Sequence, residues 1–231
     1  MIIPKVIHQT WKNECIPDVF KEMAFSWREK HADWRYLFWT DEMNRDFIKE
    51  HFPFFIHRYD AYTANIQRVD AVRYFVLYKY GGVYIDLDIE CLANITPLVE
   101  DAECVFGKEP DEHCRIHKKN VIISNAFMAS VPGHEFFGAL CTELDTNKPV
   151  TDHPNDKILE STGPFMLSRI FGEYGGKKNI KLVEPDLIYP LSKEELERNN
   201  ESKDGLLEKL KNAYAIHHYA GTWWKKDTQL K

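Results

Sequence analysis

The stretch from Tyr80 to Asp88, Y-G-G-V-Y-I-D-L-D, constrains the chain more than any other. A helical period runs into Gly81, and glycine is a natural C-terminal stop. After the glycine pair the period changes to two. Val83, Ile85, Leu87 and Ile89 alternate with Tyr84, Asp86, Asp88 and Glu90, which predicts a strand with one apolar side. Asp86 and Asp88 then project to the same side, roughly 7 Å apart along the backbone. Two carboxylates inside an apolar segment repel each other and lose solvation, and a cation relieves both costs. The pair offers only hard oxygen donors, which suit Mg²⁺ or Mn²⁺ better than zinc. The alternative is a pair of solvated carboxylates on an exposed strand face.

The residues before the glycines narrow this choice. Val69, Val72, Val76 and Tyr80 form one helical stripe, and Ile66, Asp70, Arg73 and Leu77 its neighbour. Asp70 and Arg73 stand three apart and share a face. On a surface helix they would be an ordinary ion pair of little consequence. This helix is apolar around most of its circumference, so the pair is expected to be buried and to need partners.

The string D-x-x-R-Y-x-x-L-Y-x-x-G-G-x-Y-x-D-x-D, from Asp70 to Asp88, resembles the DXD-motif sugar transferases of family 32 in the sequence-based glycosyltransferase classification. That family includes yeast-type α-1,6-mannosyltransferases and α-1,4-galactosyltransferases. The glucosylating domains of large toxins look similar over the same segment. Two further segments are similar to the family: P-K-V-I-H-Q-T-W, ending at Trp11, and the closing A-I-H-H-Y-A-G-T-W, from Ala215 to Trp223.

The resemblance implies a GT-A-like α/β/α sandwich with a central, mostly parallel sheet, in a single domain over residues 1–231. It implies Mn²⁺, with Mg²⁺ as the other choice, held by Asp86, Asp88 and His217. Spacing alone leaves His218 open as the metal contact. Trp11 would stack on the donor's base and Trp223 would close over the donor. Asp70 would bind sugar hydroxyls, Arg73 would sit near the phosphates or donor sugar, and Asp86 would bind the ribose or help hold the ion. Without the resemblance, Trp11 reads as a core tryptophan. Asn125, in V-I-I-S-N-A-F-M-A-S, reads equally as a sugar-hydroxyl partner or a turn residue.

The expected reaction moves a hexose from a UDP- or GDP-sugar to a glycan hydroxyl with retention, in surface polysaccharide or glycolipid synthesis. No nucleophile is evident, which fits front-face attack by the acceptor. A metal-dependent nucleotide-sugar phosphohydrolase and a non-catalytic carbohydrate-binding module are the other classes this pattern admits.

Composition fits a globular domain, with 44% hydrophobic and 13% aromatic residues. A net charge of −6 and the lack of a dense basic run argue against nucleic acid as a partner. No apolar run approaches spanning length and Met1 opens into a strand-like segment, so a cytoplasmic chain is expected. Trp223 to Lys226 could touch the inner face of a membrane carrying a lipid-linked acceptor. The five cysteines show no C-x-x-C and read as reduced thiols.

Along the rest of the chain, Ile2 to Thr10 predicts a buried strand and His8 a core histidine. Pro17 to Lys30 predicts an amphipathic helix with Val19, Phe20, Met23, Phe25 and Trp27 inward. Trp34 to Trp39 predicts a strand, after which Asp41 either caps the next helix or nears the nucleotide. Phe106 to Lys119 predicts a mobile loop or hairpin with a lid or acceptor-facing role. Ser161-Thr162-Gly163-Pro164 opens a helix, as in the family, and Ser192 with Glu195 matches a capping box. Residues from about 186 to 212 read as a polar helical excursion, with a turn at Asn199 to Gly205.

Overall fold

A computed structural model describes residues 2–221 except Lys148, Val150, Asp152 and 199–201. Strand β1, Val6–Thr10, is followed by helix α1, Asp18–Lys30, strand β2, Arg35–Trp39, and helix α2, Asp41–His51. Helices α3, Ile56–Ala61, and α4, Asn65–Tyr80, lead into strands β3, Gly82–Ile85, and β4, Ile89–Cys91. Helix α5, Thr96–Val99, strand β5, Cys104–Lys108, helix α6, Asp111–Ile116, and strand β6, Ile123–Ser130, come next. Helices α7, Glu135–Thr146, α8, Pro154–Ser161, and α9, Pro164–Glu173, precede strand β7, Ile180–Val183. Helices α10, Pro185–Ile188, α11, Lys193–Arg198, and α12, Lys203–Leu210, lead to strand β8, Ala215–His217.

Six strands form the central sheet in the order β2-β1-β3-β6-β5-β7. Strand β1 runs parallel to β2 and β3, and β7 parallel to β5. Strand β6 is antiparallel to both β3 and β5. A second, two-stranded antiparallel sheet joins β4 to β8. Each face of the central sheet carries its own core. Tyr84, Phe106 and Met128 point into one with α4, α7 and α9, while Val83, Ile85, Val105 and Phe127 point into the other with Trp27, Ile89 and Tyr189. This is the period-two pattern of strands buried on both sides.

The glycine pair is the joint on which the site depends. Gly81 ends α4 at φ +64°, and Gly82 enters β3 at φ +93°. A Cβ on Gly81 would stand 2.7 Å from the Ser130 carbonyl oxygen, and one on Gly82 would stand 2.6 Å from that of Val6. Both left-handed geometry and space therefore require glycine.

Several expectations need correction. The strand read through Glu90 stops at Ile85. Asp86 N–H still donates to Ala126 O at 2.8 Å, but Ile89 N–H then donates to Asp86 O at 3.1 Å and closes a turn. The apolar alternation continues because Leu87 leaves the sheet for a separate cluster with Phe20, Met23 and Ala24. Val19 and Phe25 point outward, at 53% and 61% exposure. Thr40, not Asp41, caps α2, its hydroxyl accepting from Met43 N–H. The predicted loop at 106–119 instead ends β5 and forms α6, whose first turn carries Asp111 and Glu112 and which buries Cys114.

His8 is a core histidine with both ring nitrogens engaged, and all five cysteines are unpaired. Within 186–212, Ile188, Tyr189 and Leu191 are buried, whereas α11 and α12 bury no residue. The turn expected from Asn199 lies partly outside the described residues, and Gly205 sits within α12. Among the described residues, no helix is long and apolar enough to cross a membrane.

Candidate active site

A cavity of about 450 Å³ opens where β1 and β3 end and β6 begins, lined by Trp11, Asp70, Arg73, Asp86, Asp88, Asn125 and His217 among others. Open α/β sheets place ligands at strand ends of this kind. Trp11, Asp70, Arg73, Asp86, Asp88, Asn125 and His217, each given a site role from the sequence, thus reach one cavity. Trp223 lies outside the described residues, as does the Trp223–Lys226 tail.

Arg73 organises the carboxylates. Its guanidinium is 2% exposed and stands 3.1 Å from Asp70 Oδ1 and 3.2 Å from Asp86 Oδ1. It also donates to Asn125 O at 2.7 Å and lies over the Tyr84 ring at 4.6 Å. Asp70 is fully engaged as well. Asn125 Nδ2 donates to its Oδ1 and Thr162 Oγ1 to its Oδ2, both at 3.0 Å. Burial pushes the Asp70 carboxyl up to about 6, against the pull of Arg73. Asp86 is raised too, first by burial and then by Asp88, with Arg73 opposing. Tyr84 donates its hydroxyl to Asp86 Oδ1 at 2.9 Å.

Asp86, Asp88 and His217 each turn one ligand atom toward a common point, all within 4.8 Å of one another. The small β4-β8 sheet brings them together, because Ile89 pairs with His217 directly beside Asp88. His217 Nε2 stands 3.2 Å from Asp88 Oδ1, and Ala220 N–H donates to Asp88 Oδ2 at 2.9 Å. Burial raises the Asp88 carboxyl, but His217 and that backbone N–H outweigh it and leave it below the ordinary value. Burial likewise lowers His217, yet Asp88, Glu109 and Asp86 together raise it. His217 Nδ1 is buried without a hydrogen-bond partner. Two carboxylates and one imidazole suit a divalent cation, and the imidazole suits Mn²⁺ better than Mg²⁺. His218 turns away, its Nε2 standing 2.9 Å from Glu90 Oε2.

A family profile described as "glycosyltransferase sugar-binding region containing DXD motif" matches residues 17–105. Inositol phosphoceramide mannosyltransferase 2 of Schizosaccharomyces pombe is 36% identical over 99% of this chain and 60% of its own length. An uncharacterized glycosyltransferase of Acanthamoeba polyphaga mimivirus is 32% identical over 82% of this chain and 74% of its own. The chain belongs to the DXD-motif glycosyltransferases. It spans 43–60% of the lengths of the yeast relatives it matches. The PaToxG glycosyltransferase structure superimposes with a TM-score of 0.59 at 14% identity, over 76% of this chain and 71% of that one, and the shared architecture is the GT-A fold.

In this DXD-motif glycosyltransferase the two aspartates of the motif differ in setting: Asp86 is braced by Arg73 and Tyr84, Asp88 by His217 and Ala220. Trp11 is half-buried at the end of β1, meets Phe20 edge-on at 5.2 Å, and keeps its Nε1 buried without a partner. Asp41 is outside the cavity wall and instead accepts from Asn65.

Sequence reading missed several residues of the site. The Ser161-Thr162-Gly163-Pro164 stretch does open a helix, with Gly163 at its N-cap, and the Thr162 hydroxyl holds Asp70 from behind the cavity wall. The T-G-P match was the available signal. Glu109, His113, Glu194 and Tyr219 line the cavity; Tyr219 lies in the closing family segment and Glu109 and His113 in the 106–119 segment, but none was given a role of its own.

Proposed function

We propose that this chain transfers a hexose from a nucleotide diphosphate sugar to a hydroxyl of a phosphoinositol-type glycolipid, with retention of anomeric configuration. The observation that carries this is one cavity holding the Arg73-braced aspartates beside the Asp86–Asp88–His217 donor set. Mannose is the favoured hexose, and an inositol phosphate headgroup the favoured acceptor, because the 36%-identical relative is named for that transfer. This narrows the expectation of surface polysaccharide or glycolipid synthesis to the glycolipid.

Trp11 and Phe20 form the aromatic end of the cavity, where a nucleobase would stack. Lys12 beside them adds a positive charge on the path of the diphosphate. Asp86, Asp88 and His217 would hold a divalent cation, Mn²⁺ or Mg²⁺. When bound, the cation would supply Lewis-acid neutralisation of the leaving diphosphate. Asp70 and Asn125 form a polar floor suited to the hydroxyls of the transferred sugar. Arg73 fixes both aspartates and offsets part of their charge in a buried setting.

Within a retaining reaction, the state of the buried carboxylates argues against a covalent glycosyl-enzyme intermediate. Both Asp70 oxygens accept hydrogen bonds, and Asp86 is held by Tyr84 and Arg73, so neither is poised as a nucleophile. Attack by the acceptor hydroxyl on the leaving-group face fits that arrangement.

Membrane proximity would suit such an acceptor. Arg115, Ile116, His117, Lys118 and Val121 form an exposed basic and apolar rim, and Ile116 and His117 line the cavity. A panel of UDP- and GDP-sugars with Mn²⁺, scored for released nucleoside diphosphate with and without phosphoinositol glycolipid, tests the reading. Turnover of one donor that the glycolipid accelerates and captures as glycoside is expected. Cleavage to nucleoside monophosphate and sugar 1-phosphate that no acceptor diverts would mark a phosphohydrolase. Sugar binding indifferent to chelator would mark a binding module.

A further inference from the structure

One arm of the cavity has no role in the reading above. The nucleotide end is at Trp11, the cation donors are central, and the hexose floor is at Asp70 and Asn125. Beyond His217 the wall continues through Tyr219, whose ring lies 4.0 Å from the His217 ring and 5.0 Å from the His113 ring. Tyr219 sits at φ +45°, a strained setting for a tyrosine, and its hydroxyl is buried without a partner.

His113 lies between two carboxylates. Its Nδ1 is 2.8 Å from Glu109 Oε2, and its Nε2 is 3.3 Å from Lys193 N and 3.4 Å from Glu194 Oε2. The backbone N–H of Lys193 donates to Nε2, so the ring proton sits on Nδ1 and is donated to Glu109. That assignment leaves Nε2 without a proton for Glu194, and Glu194 Oε2 is buried with no hydrogen-bond partner. Burial alone would raise the Glu109 carboxyl, but His113 outweighs it, followed by a smaller contribution from His217, and holds it below the ordinary value. Two carboxylates thus flank one imidazole ring in the cavity wall, one aimed by it and one lacking a donor.

Carboxylates only accept, so what completes this arm must donate hydrogen bonds. An anionic group would be repelled. A neutral polyol supplies donors on adjacent carbons and adds no charge.

We propose that Glu109, aimed by His113, and Glu194 form the acceptor subsite, binding hydroxyls of the accepting sugar or cyclitol ring. Tyr219 forms its wall and separates it from the cation donors. An acceptor phosphate would have to lie outside this arm, toward the basic rim at Arg115 and Lys118. Glu109 and Glu194 are binding residues here, and His113 is a positioning residue. The inference rests on the transfer reading, but it can fail separately.

The test uses the full chain with Mn²⁺ and its donor sugar. Glu109→Gln should raise KM for the glycolipid about tenfold or more, while donor KM and the slow hydrolysis of donor by water, which Glu109 reaches only through its weaker influence on His217, change far less. His113→Phe should give the same split, and His113→Asn, which keeps an N–H near the Nδ1 position, should restore much of it. Equal loss of transfer and donor hydrolysis in Glu109→Gln would place Glu109 on the donor side and overturn the proposal. So would an unchanged acceptor KM in both Glu109→Gln and His113→Phe. If the parent chain turned over no donor at all, the transfer reading would fail on its own. Saturation-transfer NMR with myo-inositol, diamagnetic Mg²⁺ and GDP still reads the subsite then. A signal in the parent that Glu109→Gln and His113→Phe both lose supports it, and equal signals in all three contradict it.

Discussion

At the scale of single residues, charge placement governs both stability and chemistry. His8 shows this away from the site. Its Nε2 is 2.9 Å from Gly81 O and its Nδ1 accepts from Trp39 Nε1 at 3.2 Å, so the neutral ring is satisfied on both sides. Burial pushes its pKa from 6.5 down to about 4, only partly offset by the Gly81 carbonyl. The unfolded chain then binds the proton more readily than the folded one. His8 therefore contributes stability that is complete above pH 6.5 and is lost as pH falls toward 4, about 3 kcal/mol over that window. Urea midpoints measured from pH 7 to pH 4 should fall, and His8→Gln should flatten that slope. Asp88→Asn is the corresponding prediction for the chemistry. It removes a cation donor while leaving Ala220 N–H an amide oxygen to bond, so the fold should persist. Transfer should drop on the order of a hundredfold or more, and added Mn²⁺ should recover part of it.

At the scale of elements, the glycine joint sets where the motif begins. Gly82→Ala adds a Cβ 2.6 Å from Val6 O at a backbone angle that alanine rarely adopts. It should cost about 3 kcal/mol in urea denaturation and push β3 away from β1, moving Asp86 with it. This joint was legible in the sequence because a helical period, two glycines and a strand period follow one another without a gap. The Asp70–Arg73 pairing was legible for a similar reason, since their spacing on a helix apolar around most of its circumference allows few alternatives. The end of β3 was not. Leu87 continues the apolar alternation, yet it serves a different cluster, and periodicity cannot distinguish two apolar destinations. Helix α6 was hidden because only Cys114 along it is buried, leaving little apolar period to detect.

At the scale of the whole molecule, the cavity gathers residues from distant parts of the chain. Trp11, Asp70, Asp88 and His217 could be named in advance because family motifs carry them, and Asn125 only as one of two readings of a polar break in a strand. Thr162 holds Asp70 from 92 positions away, and Glu194 meets His113 across a similar gap. Those contacts arise from the order of strands in the sheet, which no local pattern encodes. The rim at 115–121 belongs to this scale too. Vesicles containing phosphatidylserine should bind the chain more tightly than neutral ones, and 0.5 M salt should abolish the difference. Lys118→Glu should weaken that binding about tenfold or more, with donor hydrolysis unaffected.

The central claim is that Asp86, Asp88 and His217 hold the cation that accompanies a nucleotide sugar. The most direct measurement is an electron paramagnetic resonance titration of Mn²⁺ in the presence of GDP or UDP. The parent chain should take up one ion that becomes tighter with nucleotide, and Asp88→Asn and His217→Phe should each lose that site. An ion bound with equal affinity in all three proteins, or no nucleotide-dependent ion in the parent, would contradict it.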